Sequence, residues 1–302
     1  MKPNILDGID FDEDIYNCKS DENIIIRKDI PYFILSNPES KKDSILIAIF
    51  DETIPFNITE MLSKNFNTSL TTILRKENNS DMYHIRCFTY QKEIIGHKHQ
   101  EINCNIVSTL AASFTLFKKY ENIDSFTLSG NGFDSCTANR EENTISFTLP
   151  KIKKTKLELT EEMKTAWWNS IKQHYYDKHS NCSVINIKSN NAIYPLTKDQ
   201  LDSLPSDSNS NIFIGSFCNE NTPKCCTLGM TLIGEEYQQN FTYPYQNLLP
   251  FWFKQSGLNT IHQVDINNNP TYILKKIGDD MYSASYNSYT LLSKGSLLPS
   301  TF

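Results

Sequence analysis

The apolar positions of this 302-residue chain change period from segment to segment, and the changes mark out its elements. IPYFIL (30–35) and SILIAIF (44–50) are short unbroken runs rich in isoleucine and aromatics, the make-up of strands. NITEMLSKNFN (57–67) spaces its apolar residues at helical intervals behind an N-cap, Asn57 or Thr59, and predicts a helix. SLTTILRK (69–76) and MYHIRCFTY (82–90) return to strand character. VSTLAASFTLFKKY (107–120) predicts a second helix, with Leu110, Phe114 and Phe117 on one side and small residues between. DSFTLSGNGFDSCTA (124–138) and NTISFTLPKI (143–152) predict a hairpin with Gly130 and Gly132 near its bends.

Pro150 and the basic stretch KIKKTKLELT (151–160) predict a boundary, after which the order repeats. A helix is expected over EEMKTAWWNSIKQHYY (161–176), and strands over CSVINIK (182–188), NAIYPL (191–196) and NIFIGSF (211–217). TKDQLDSL (197–204) is a helix among them, and YQNLLPFWFKQSG (245–257) is another, stopped by Gly257. Strands at TYILKKI (271–277) and MYSASY (281–286) finish the chain. Two halves that each mix strands with one long apolar helix imply a two-lobed α+β protein: an acidic extension over 1–29 and lobes over 30–150 and 151–302.

Charge narrows the partners. Residues 1–22 carry seven acids against two bases, a charge of −5 out of −6 overall, so the body is near −1. A near-neutral body offers no electrostatic footprint to nucleic acid or an anionic membrane. ILIAIF is far short of a membrane span, and MKPNILDGIDFDED is too acidic for a secretory signal. The eight cysteines are irregularly spaced and form no CxxC pair, which reads as reduced thiols in the cytoplasm, with secretion lacking a cleaved signal as the alternative.

Four features invite chemistry. His97 and His99 alternate with Gly96 and Lys98, with His84 upstream, and an H-x-H on a strand presents two rings to one face as zinc requires. No third ligand is spaced to match, so an unligated loop or edge strand is expected and no metal is assigned. Trp167-Trp168 predicts core packing for at least one of the pair rather than a binding platform. Cys225-Cys226 predicts two reduced thiols on a buried strand rather than a vicinal disulfide. The acidic extension is expected to be a solvated tail rather than a dock for a basic partner.

EINCNIVSTLAASFTLF (101–117) lies without a gap on E-x-P-x-C-G-H-A-T-L-A-A-A-H-x-L-F, the helix segment of the phenazine-biosynthesis PhzF-like family, with Glu101, Thr109, Leu110, Ala111, Ala112, Leu116 and Phe117 matching. RCFTYQKE (86–93) resembles its R-x-F-T-P-x-x-E, and NLLPFW (247–252) resembles A-L-A-P-Y-W. DSFTLSG with TISFTLP, and HQVDINNNPTYIL, resemble further segments in the family's order, so the resemblance spans roughly 30–302. It implies the diaminopimelate-epimerase-like fold: two lobes, each a mixed sheet curled around a central helix, and a homodimer. The family's Gly-His falls on Ile106-Val107, while Gly96-His97 sits in an apparent insertion between two candidate glutamates, Glu93 and Glu101.

The resemblance also implies an activity whose residues this chain lacks. The family moves a proton within a small hydroxy acid without cofactor, using the glutamate of N-L-S-E-T-x-F. Here the segment reads NTSLTTIL, and Leu70, which cannot accept a proton, stands in the glutamate's place. In the second half, counting back from Trp252 places the family's E-D-P on Tyr237-Gln238-Gln239, its helix-opening glycine on Thr242 and its serine on Tyr243. Tyr243 and Pro244 would crowd an anion site at that helix start. Cys104 lies one residue before the first thiol of the related two-cysteine epimerases, and the second has no equivalent.

The expected protein is PhzF-like, without catalytic residues or cofactor. Its cleft would be lined by Leu70, Val107, Tyr237, Gln238, Thr242 and Tyr243, and would bind a small molecule or a protein partner. The alternative is an active isomerase or lyase on a small hydroxy or amino acid with relocated acid–base groups, Glu235 and Glu236 or His97.

Overall fold

The computed structural model describes residues 30–37, 40–50, 56–66, 68, 70–77, 82–91, 98–102, 104, 106–131, 133–141, 144–149, 154–177, 182–188, 197–204, 211–218, 223–233, 236–240, 248–264, 270–279, 281–286 and 289–297. The first half contains β1 (Ile30–Asn37), β2 (Ser40–Phe50), α1 (Phe56–Asn65), β3 (Leu70–Lys76), β4 (Met82–Gln91), β5 (Lys98–Ile102), α2 (Ile106–Lys119), β6 (Ser125–Gly130), β7 (Phe133–Glu141) and β8 (Thr144–Thr148). The second contains β9 (Lys154–Leu157), α3 (Glu161–Ala166), β10 (Ile171–Asp177), β11 (Cys182–Ile187), α4 (Lys198–Asp202), β12 (Asn211–Cys218), β13 (Lys224–Ile233), β14 (Glu236–Asn240), α5 (Leu249–Ser256), β15 (Thr260–Val264), β16 (Pro270–Gly278), β17 (Met281–Tyr286) and β18 (Leu291–Leu297).

The pairing of these strands repeats. In the first half β2 runs parallel to β3 across α1, β3 turns back onto β4, and β4 runs parallel to β6 across α2. In the second, β11 runs parallel to β12 with α4 between, β12 turns back onto β13, and β13 runs parallel to β15 across α5. Both series close with antiparallel steps, β6–β7–β8 and β15–β16–β17, and β8 pairs with β17 to join them. β18 returns to pair antiparallel with β1. In each half a short strand extends the hairpin before the helix: β5 and β6 share one edge of β4, as β14 and β15 share one edge of β13.

Side-chain alternation builds the layers. Ile45, Ile47 and Ile49 of β2 join the large core around α2, while Leu46, Ala48 and Phe50 pack with α1 on the other face. A strand covered on both sides needs an unbroken apolar run, which is what residues 45–50 of β2 are. α2 is buried at every position from Ile106 to Phe117 and packs against β1, β2, β3, β4, β7, β8 and β17. Ala111, Ala112 and Ser113 allow that close approach from several sides. α5 buries Leu249, Trp252 and Phe253 and leaves Lys254 and Gln255, beyond its apolar run, exposed. On β12 a Cβ at Gly215 would stand 2.7 Å from both Leu248 Cδ1 and Trp252 Cζ2; the glycine lets the indole lie on the strand.

The expected helix over 161–176 is a correction. α3 ends at Ala166, and Trp168 and Asn169 follow with φ of 47° and 55°. Thr160 caps its start, its Oγ1 accepting from the Met163 N–H at 3.1 Å. IKQHYY then becomes β10, held between β9 and β11, because two antiparallel ladders and burial of His174 and Tyr175 outweigh a helical spacing. The expected strand over 191–196 lies outside the described residues.

Candidate functional site

Leu70 opens β3, paired with Ile45 of β2 and Thr89 of β4. It has no solvent exposure and shares one apolar cluster with Ile45, Leu74, Ile106 and Val107. The next residue points the other way: Thr71 Oγ1 lies 2.6 Å from Ser63 Oγ of α1 and 3.3 Å from Thr68 Oγ1. Val107, in the first turn of α2, is also fully buried, and its carbonyl accepts a hydrogen bond from the Tyr289 hydroxyl at 3.1 Å. The structure thus brings Leu70 and Val107 into one apolar cluster. A carboxylate there would lose its hydration with no cation to replace it among these neighbours.

The second set of residues is placed by its backbone. Glu236, Tyr237, Gln238 and Gln239 are on β14, opposite Ile233, Leu232, Thr231 and Met230 of β13. α5 begins at Leu249 with Pro250 in its first turn, where a missing N–H costs nothing. Glu235, Thr242, Tyr243 and Pro244 lie outside the described residues.

On the solvent side of β4 a polar cluster forms that sequence reasoning did not assemble. Arg86 makes a two-point contact with Glu101 of β5, Nε to Oε1 at 3.0 Å and Nη2 to Oε2 at 2.7 Å. Asn131 Nδ2 donates to Glu101 Oε1 at 2.6 Å, and the guanidinium sits 5.0 Å from the Phe88 ring centre. Of the two candidate glutamates, Glu101 meets Arg86 and Glu93 lies outside the described residues; the apparent insertion falls in the β4–β5 connection. Beside it, His84 Nδ1 lies 3.0 Å from Ser129 Oγ, which donates to Glu77 Oε1 at 3.3 Å. Burial, then Arg75, hold His84 below the ordinary histidine range, so it is neutral at pH 7. Arg86 spends its charge on Glu101, and the cluster pins β5 beside β4 ahead of α2. The alternation of His84 and Arg86 with buried Tyr83, Ile85 and Cys87 was its available signal.

His97 lies outside the described residues; His99 is on β5, opposite Tyr90. Among the described residues no group of three or more His, Cys, Asp or Glu side chains could hold a metal. Trp167 is fully buried, its Nε1 donating to Gln200 O and Ser203 Oγ at 3.2 Å each, whereas Trp168 is 72% exposed. Cys225 and Cys226 are both buried and not in a disulfide, and adjacent strand positions send them into different clusters. No described helix is long and apolar enough to cross a membrane.

No protein-family model matches the sequence, and no curated protein matches it. Solved structures do match its fold. A PhzF-family phenazine biosynthesis protein from Enterococcus faecalis superposes with a TM-score of 0.65 at 16% identity, covering 90% of this chain and 100% of that one. A phenazine biosynthesis PhzC/PhzF protein from Clostridium difficile (strain 630) gives 0.64 at 18% identity, covering 89% and 99%. A hydroxyproline epimerase from Agrobacterium vitis, with bound trans-4-hydroxy-L-proline, gives 0.54 at 8%, covering 90% and 91%. The chain has the PhzF-like, epimerase-like fold.

Proposed function

We infer that this chain is a PhzF-like protein that has lost cofactor-independent isomerase activity and serves as a binding or interaction protein. The observation that carries the reading is Leu70. It occupies the position that the resemblance gives to the acid–base glutamate, and it is fully buried in the apolar cluster that also holds Ile45, Leu74, Ile106 and Val107. A proton-transfer group has to reach the reacting carbon, and an aliphatic side chain without solvent exposure does neither job. In this reading residues 30–150 and 151–302 are two lobes, with α2 and α5 as their central helices, behind an acidic extension over 1–29. The resemblance assigns Tyr237, Gln238, Thr242 and Tyr243 to a binding cleft between them, and Leu70 and Val107, assigned to it as well, are buried without solvent exposure. A cytoplasmic homodimer completes the reading, and the free thiols among the described cysteines fit a reducing compartment.

The test pairs binding with turnover. A thermal-shift screen of small hydroxy and amino acids identifies ligands, and each hit is incubated with the protein and followed by chromatography. A saturable shift without isomerised product supports the reading. Isomerisation of a dihydro-hydroxyanthranilate-type substrate overturns it and directs attention to Glu235 and Glu236.

A further inference from the structure

β5 and β6 meet β4 end to end along one edge, Ile102 opposite Cys87 and Gly130 opposite Ile85, and Cys104 falls at their junction. Its N–H donates to Asn131 O at 2.7 Å, and its thiol points at Ile85 O, 3.4 Å away. A Cβ on Gly130 would stand 2.8 Å from the Cys104 sulfur, so only glycine leaves that slot open. The Cys87 thiol, fixed in the middle of β4, donates to the Cys104 sulfur at 3.3 Å. Cys87 is fully buried, and Cys104 is half-buried with its sulfur turned inward.

We propose that Cys87 and Cys104 are a redox-active dithiol that a hydroperoxide converts to an intramolecular disulfide, tying β4 to the start of α2. Bond formation requires the sulfurs to approach by roughly 1.3 Å, to the ~2.0 Å of a disulfide. Cys104, in the turn before α2, supplies the movement. The Cys104 thiolate attacks one peroxide oxygen and the O–O bond breaks, giving a sulfenic acid and hydroxide. The Cys87 sulfur then attacks the Cys104 sulfur and expels the hydroxyl. With the two thiol protons, hydrogen peroxide leaves as two waters.

The hydrogen bond with Cys87, then burial, push the Cys104 thiol well above its usual range, with Cys136 and Glu101 acting in the same direction. Cys104 is therefore protonated at pH 7 and reacts slowly there. Below the thiol pKa the thiolate fraction, and with it the oxidation rate, rises about tenfold per pH unit.

The experiment uses the full native chain. It is treated with hydrogen peroxide, capped with N-ethylmaleimide after denaturation, digested and mapped by mass spectrometry. The expected result is loss of two maleimide-reactive thiols and one dominant cross-linked peptide pair through Cys87 and Cys104. That pair is lighter by two hydrogens, reversed by dithiothreitol and absent from Cys104→Ser. Peroxide that leaves Cys87 fully maleimide-reactive, or that cross-links other cysteines to the same extent, overturns the proposal. The map of the unmodified sequence decides the question even where a serine variant folds poorly.

Discussion

Replacing Leu70 by glutamate puts back the residue that the resemblance expects and asks whether position 70 is core or cleft. Leu70 is fully buried, and its loss removes about 2 kcal/mol of apolar burial. The larger effect is ionisation. A carboxyl fully buried among aliphatic side chains has its pKa raised by about 3–5 units, and at 1.36 kcal/mol per unit this makes the charged form cost roughly 4–7 kcal/mol. The folded-state pKa is raised above the unfolded value, so the variant is relatively better off in acid and loses stability as pH rises through the folded pKa. Urea unfolding monitored between pH 5 and pH 8 measures it. Leu70→Glu should lose several kcal/mol across that window relative to the unaltered protein, out of the 5–15 kcal/mol typical of a domain. A pH-independent difference would mean that the carboxylate reaches water or a cation, and the argument that position 70 is sealed would fail.

Gly215→Ala drives a methyl group into Leu248 and Trp252 and should cost about 1–3 kcal/mol, read as a lower urea midpoint with a changed tryptophan emission. His174 is buried with Nε2 2.8 Å from Ser183 Oγ and no hydrogen-bond partner at Nδ1 among the described residues, and burial lowers its pKa from 6.5 to about 4. The unfolded chain therefore binds the extra proton first. Stability is fully present above pH 6.5 and falls by about 3 kcal/mol toward pH 4, and His174→Asn should remove that part of the slope.

What could be read from the sequence follows from how local each signal is. β2 and α2 were legible because an unbroken apolar run and a helix with small residues between large ones each imply burial on all sides. β10 was not. Its apolar spacing suits a helix, and only pairing with β9 and β11 makes it a strand. β13 was legible only at Cys225-Cys226, read as lying on a buried strand: KCCTLGMTLI has little alternation, and the strand's full extent rests on partners in β12, β14 and β15. Leu70 could be found by motif register alone, yet its seclusion from solvent could not. The Glu101–Arg86 contact needed the β4–β5 register, and the Cys87–Cys104 contact needed the slot left by Gly130.

The central claim is that no inherited proton-transfer group operates here. Deuterium incorporation from D₂O at the carbon-bound hydrogens of small hydroxy and amino acids tests it directly, because it registers proton abstraction whether or not product is released. Loss of a general acid–base group alone removes a factor of roughly 10² to 10⁴ in rate. The account predicts no incorporation above the protein-free control, for the unaltered protein and for Leu70→Glu alike. Chelator-insensitive incorporation by the unaltered protein, proportional to its concentration, would contradict it.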